Sequence, residues 1–165
     1  MGTAGIRLNH GVEPAEVADG LDRLYCYEQV SIHFVRAIEN RLIGVASILL
    51  ERELPEQVAL AERHASRLAA RIAQLGGAIT HDPTWFVERA QLPAVELPGS
   101  VDDVDSVLRY ALEQEQRTID RYGELLARVR GLDVVTERLL VSILADKVAR
   151  EDEIESALPQ AVVMS

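Results

Sequence analysis

The chain reads as an all-α protein, an antiparallel four-helix bundle, and three observations predict it. Ala, Leu, Glu and Arg are abundant while there are only two Phe, one Trp and four Tyr, and straight-chain side chains lose little rotamer freedom in a helix. Apolar residues recur at the helical period through four segments. Gly, Pro, Ser and Asp punctuate those segments where helices start or stop. With 165 residues, 48% of them hydrophobic, the chain suffices for one domain whose core needs no disulfide or structural metal.

Residues 1–20, rich in Gly and interrupted by Pro14, read as an N-terminal arm with one turn at Pro14–Asp19. The bundle is expected over 21–158. Leu21, Leu24, Tyr25, Glu28, Ile32, Val35 and Leu42 make the stripe of the first helix. The segment LIGVASILLERELP leaves two readings open, an extended crossover or a continuing helix broken near Pro55. Pro55 then suits a helix start, and Val58, Ala61, His64, Leu68, Ile72 and Leu75 form the second stripe, stopped by a left-handed cap at Gly76-Gly77. Residues 78–100 hold three Pro and no sustained period, so they form a long connection. In it, Trp85 and Phe86 either pin the connection onto an apolar surface or meet a neighbouring subunit.

Ser100, with Asp103 three residues later, resembles a capping box and predicts the start of the third helix. Its stripe is Val104, Leu108, Leu112, Glu115, Ile119, Tyr122, Leu126 and Val129. Asp133 opens the fourth, with Leu139, Leu140, Ile143, Lys147, Arg150, Ile154 and Leu158 inward and Pro159 as its stop. Residues 159–165 are left as a C-terminal tail. The short link between the last two helices makes them antiparallel neighbours. The expected architecture has a long crossover between the first and second helices and a long connection between the second and third.

Charge excludes more than it selects. A net charge of −10 would repel a phosphate backbone, so no nucleic-acid partner is expected. The longest apolar run, Leu42–Leu50, is nine residues, too short for a bilayer, and MGTAGIRLNHG lacks the apolar run of a signal peptide. A lone Cys26 forms no internal disulfide. These features predict a cytoplasmic protein with no membrane partner.

Ionisable residues interrupt every stripe: Glu28 in the first, His64 in the second, Glu115 in the third, Lys147 and Arg150 in the fourth. A buried charge needs a partner or a metal, so four helices each carrying such a residue near mid-length predict one shared polar layer. Tyr25 and Tyr122 stand next to it as candidate hydrogen-bond donors, or as ordinary core tyrosines. Glu62, Arg63, Arg67 and Arg71 read as the surface-facing phase of the second helix, which solvates the bundle or makes intersubunit salt bridges.

The segment ALAERHASRLAARIAQLGG resembles the second helix of bacterioferritins and Dps-like proteins, with His64 at the ligating histidine. YALEQEQRTIDRYGELL is similar to their third helix, with Glu115 at the bridging carboxylate, and DVVTERLLVSILADKVAREDEIE to their fourth. Glu28 lies 36 residues before His64, the separation bacterioferritins use. The resemblance covers about residues 21–158 and implies a ferritin-like bundle whose centre holds two irons between a Glu from each of two helices and a Glu-x-x-His from each of the others. Here Ala61 stands in place of one Glu, and Lys147 and Arg150 stand where the fourth helix would supply Glu and His. The resemblance therefore implies a degenerate dinuclear (ferroxidase) centre with a Glu–Lys/Arg network in place of iron. A mononuclear metal site on Glu28, His64 and Glu115 is the alternative. Glu62 occupies the position of the haem-ligating Met, so haem is not expected.

Three functions follow as expectations. The first is a non-catalytic or structural ferritin-like subunit of a homo-oligomer, or of a hetero-oligomer with an active paralogue. The second is an enzyme or small-molecule-binding protein that has repurposed the bundle pocket. The third is an iron-storage ferroxidase with an unusual ligand set.

Overall fold

The computed structural model describes residues 11–92 and 103–164. In chain order they form α1 (Pro14–Glu39), α2 (Gly44–Leu50), α3 (Glu53–Gln74), a 3₁₀ turn (Pro83–Trp85), α4 (Phe86–Arg89), α5 (Val104–Val129) and α6 (Val134–Met164). Among the described residues no helix is long and apolar enough to cross a membrane.

The helix ends follow from local chemistry. Pro14 is the first helical residue of α1, where its missing N–H costs nothing. The helix therefore starts inside the segment read as an arm, and Val17 and Ala18 join the core. α3 begins at Glu53, which puts Pro55 in its first turn, and ends in a Schellman cap. There Gly76 sits at φ +83°, its N–H donates to the Ala73 carbonyl, and the Gly77 N–H donates to the Ile72 carbonyl. Asp103 caps α5 by accepting from the Asp105 N–H. The cap contact expected of Ser100 lies outside the described residues. Asp133 caps α6 by accepting from the Thr136 N–H and hydroxyl. That helix does not stop at Pro159 as expected but runs on to Met164, since a proline removes one helical hydrogen bond without forbidding continuation.

Two apolar clusters fix the topology. One joins Leu21 of α1, Leu68 and Ile72 of α3, Tyr122 and Leu125 of α5, and Leu140 and Ile143 of α6. The other joins Ile32 and Val35, Val58, Val107 and Leu108, and Ile154. Reading the numbers from one cluster to the other, α1 and α6 run one way and α3 and α5 run the other. α1 packs mainly on α3, and α5 mainly on α6. The bundle is therefore two antiparallel pairs. The link between α1 and α3 joins neighbouring ends and contains the short helix α2, so it is not the long crossover the sequence suggested. The connection from α3 to α5 must traverse the bundle instead, because α3 ends at one cluster and α5 begins at the other.

The described part of that connection lies along α1. Phe86 packs edge-on against Tyr25, with ring centroids 6.3 Å apart, and Ala90 covers Cys26 and Tyr27. Asp22 receives the Thr80 N–H and hydroxyl, both at 2.7 Å, and the Arg89 guanidinium. This covering explains why α1 is buried on more of its circumference than one stripe. The two readings of the aromatic pair divide: Phe86 pins the connection, while Trp85 is 53% exposed.

Candidate functional site

A polar layer crosses the bundle between the two apolar clusters. Glu28 comes from α1, His64 from α3, Glu115 and Tyr122 from α5, and Lys147 from α6, and all five are buried. Helical spacing puts them there: His64 lies four residues before Leu68, Glu115 seven before Tyr122, and Lys147 four after Ile143, each on the inward face.

Lys147 is the hub. Its Nζ lies 3.2 Å from Glu28 Oε1 and 3.6 Å from Glu115 Oε2, and 5.7 Å from the centroid of the Tyr122 ring. The Tyr122 hydroxyl donates to Glu28 Oε1 at 2.7 Å. Burial works against the ammonium, but the Glu28 and Glu115 carboxylates outweigh it and hold the Lys147 pKa above the ordinary lysine value. Burial also raises Tyr122 well above the usual phenol, so it serves as a neutral donor. Glu115 is likewise pushed up by burial, with Lys147 opposing.

His64 completes the layer. Its Nε2 lies 3.0 Å from Asp146 Oδ2 of α6, and since a carboxylate only accepts, Nε2 carries the hydrogen. Nδ1 then presents a lone pair toward Glu28, 3.9 Å from Oε1 and beyond hydrogen-bond reach. Among the described residues neither Glu28 Oε2 nor His64 Nδ1, both buried, has a hydrogen-bond partner. Burial lowers the His64 pKa, against the pull of Glu28 and Asp146, so the ring is neutral at pH 7.

That shift has a sign in stability. Because the folded-state pKa lies below the unfolded one, the unfolded chain takes the proton first as pH falls, and stability drops from about pH 6.5 downward. Glu115, with its pKa raised, acts in the opposite direction as pH falls. The His64 contribution is therefore read as a difference: urea unfolding of His64→Gln against the unsubstituted protein between pH 7.5 and 5.5 should show a flatter acid-side loss in the variant. Parallel curves would show that His64 does not resist protonation.

Two expected members stand elsewhere. Arg150 turns to Glu53 Oε2 at 2.8 Å and Glu153 Oε2 at 3.2 Å, not to Glu28 or Glu115. Its long side chain starts near the end of the bundle where α3 begins and reaches exposed carboxylates there at lower desolvation cost. Tyr25 packs edge-on against Phe86 outside the layer. Lys147 alone therefore serves both inner carboxylates, in place of the expected two cations.

Two residues of consequence were not singled out from the sequence. Asp146 precedes Lys147 by one residue and binds His64 while Lys147 stays inward. Arg71 was read as surface-facing, yet it is buried. It donates to both Asp133 oxygens at 2.9 Å, to Thr136 Oγ1 at 2.9 Å and to Gln74 Oε1 at 3.1 Å. Its signal was present: Arg71 lies seven residues after His64 and three after Leu68, on the inward side. Glu62, Arg63 and Arg67 are exposed as expected, and Glu62 pairs with Arg36 at 2.7 Å. Among the described residues no group of three or more His, Cys, Asp or Glu is arranged to hold a metal ion.

Comparison with known proteins places the fold. The DNA protection during starvation protein of Pyrococcus furiosus is 24% identical over 149 residues, spanning 90% of this chain and 80% of that protein. The dodecameric thioferritin of Bacteroides fragilis, a bacterioferritin-related protein, superposes with a TM-score of 0.84 at 24% identity, over 93% of this chain and 90% of its own. Dps from Staphylococcus aureus superposes with a TM-score of 0.79 at 13% identity, over 91% and 97%. The family model of the ferritin-like domain matches residues 18–161, the span of all four long helices and the polar layer between them, and this chain belongs to that family.

Proposed function

We propose that this protein is a ferritin-like subunit whose centre is held by its own lysine, a structural and non-ferroxidase member of an oligomer. The observation that carries the reading is Lys147 Nζ at 3.2 Å from Glu28 and 3.6 Å from Glu115. The residues present do not fit a dinuclear iron centre. Two divalent ions bring four positive charges, and the layer offers two carboxylates already facing an ammonium, one imidazole lone pair, and an apolar Ala61 where the family motif has a carboxylate. Coulomb repulsion from Lys147 is weakly screened at this depth.

Assembly is the second part of the proposal. The Bacteroides relative is a dodecamer, and this chain exposes Trp85, Ile48 and, seven residues apart along α6, Val134, Val141 and Val148. Such a stripe suits packing against another copy. A homo-oligomer in the cytoplasm is the assembly proposed, and the free, buried Cys26 is consistent with a reducing compartment. DNA protection belongs to the name of the Pyrococcus relative. A net charge of −10 argues against direct DNA contact here.

The test is ferrous iron titration with oxygen uptake. The purified protein should bind far fewer than about two irons per chain and show no fast ferrous oxidation, whereas the variant Ala61→Glu/Lys147→Glu/Arg150→His, which rebuilds the six-ligand set, should approach about two. Stoichiometric iron with rapid oxidation in the unsubstituted protein would remove the proposal.

A further inference from the structure

A cavity of about 170 Å³ lies apart from the polar layer, between the N-terminal half of α1, the C-terminal half of α5 and the end of α4. It is several times the ~30 Å³ share of one liquid water, so a polyatomic ion fits where a bare ion would rattle. Its floor is apolar, made by Leu24 and Leu125, and Gly20 lets the two helices close there: a Cβ on Gly20 would lie 2.7 Å from Leu125 Cδ1.

Three arginines converge on this cavity: Arg23 from α1, and Arg121 and Arg128 one above the other, seven residues apart on α5. Two carboxylates also line it. Asp19 is engaged by Arg23 at 2.9 Å and by Arg89 at 2.8 Å, so its charge is already shared. Glu124 approaches Arg121 only to 3.7 Å, too far for a hydrogen bond. Arg128 has no hydrogen bond or ion pair with any of the described residues. Arg121 and Arg128 thus hold unspent donors side by side, in a chain whose overall charge is −10.

The geometry points to a binding site for a small phosphate-class oxyanion, held by Arg121 and Arg128 with Arg23 at its side. Guanidinium forks match tetrahedral oxyanions two oxygens at a time, and a dianion offsets the repulsion among the three arginines. The half-open cavity admits the ion from solvent, while the Leu24 and Leu125 floor limits competing water on one side.

Titration calorimetry with inorganic phosphate at low ionic strength, against chloride matched for ionic strength, tests this. The expected result is saturable binding of one phosphate per chain that Arg121→Gln/Arg128→Gln weakens by about tenfold or more. Arg63→Gln/Arg67→Gln, which removes the same charge from the exposed face of α3, should leave it unchanged. Equal weakening by the two double variants, or no saturable phosphate heat, overturns the site. Should the first double variant melt early, arginine Nε–H resonances of the unsubstituted protein carry the decision. Phosphate must shift Arg121 and Arg128, and a response confined to arginines outside the cavity overturns the assignment.

Discussion

Replacing Lys147 by Met lowers the unfolding free energy by about 3–5 kcal/mol at neutral pH, the scale for stranding buried charge when one partner of a pair is removed. Met keeps most of the side-chain volume, so the loss reports charge and not a cavity. Glu28 is left with the Tyr122 hydroxyl as its remaining donor, and Glu115 with none from the layer. Burial already pushes the Glu115 carboxyl up, and losing the Lys147 ammonium that opposes it raises the folded-state pKa further above the unfolded one. Such groups contribute most below the unfolded pKa and cost stability as pH rises, so the variant should regain stability between pH 7 and 5 relative to the unsubstituted protein. Urea unfolding at both pH values measures it. A loss under about 1 kcal/mol, the scale of a solvated surface pair, would mean that Lys147 does not hold the layer.

Arg71→Met should cost a similar amount, about 3–5 kcal/mol, by orphaning Asp133 at the other end of the bundle. Asp133 is fully buried, caps α6 through Thr136, and receives both of its Arg71 hydrogen bonds at 2.9 Å. Burial raises its pKa, but the donors from Thr136 and Arg71 together outweigh it and hold the carboxyl below the ordinary aspartate value. A depressed folded-state pKa contributes stability above the unfolded value of 3.8 that is lost as pH falls through the folded pKa. The variant should therefore lose stability at pH 7 and show less of the acid-side decline near pH 3. Thermal or urea unfolding at the two pH values checks both signs, and a neutral effect at pH 7 would show that the ion pair is replaceable by apolar packing alone.

How much of this was legible in sequence depends on whether a residue acts within one helix or between helices. The Gly76-Gly77 stop, the Asp133 cap and the inward phase of Glu28, His64, Glu115 and Lys147 follow from nearest-neighbour geometry on one helix, and the structure places them accordingly. The third stripe was only half right: Thr118 and Leu125 are buried, while Ile119 and Leu126 are partly covered. α5 meets α6 and α1 on different sides, and a single 100° step decides which apolar residue faces inward.

The sequence by itself determined the helical class, the four long segments and the presence of one charged layer, because periodicity and cap chemistry are local and each buried charge demands a partner. Only the tertiary structure decided which partner. Arg150 goes outward to Glu53, Asp146 turns in to His64, and Arg71 crosses to Asp133. It also decided that the crossing connection follows α3 and that Arg23 of α1 shares a cavity with Arg121 and Arg128 of α5. The physical reason is reach: a long charged side chain can satisfy itself anywhere within several ångströms of its Cα. Helical phase fixes the direction in which it leaves the backbone, while its destination depends on which helices the chain brings alongside.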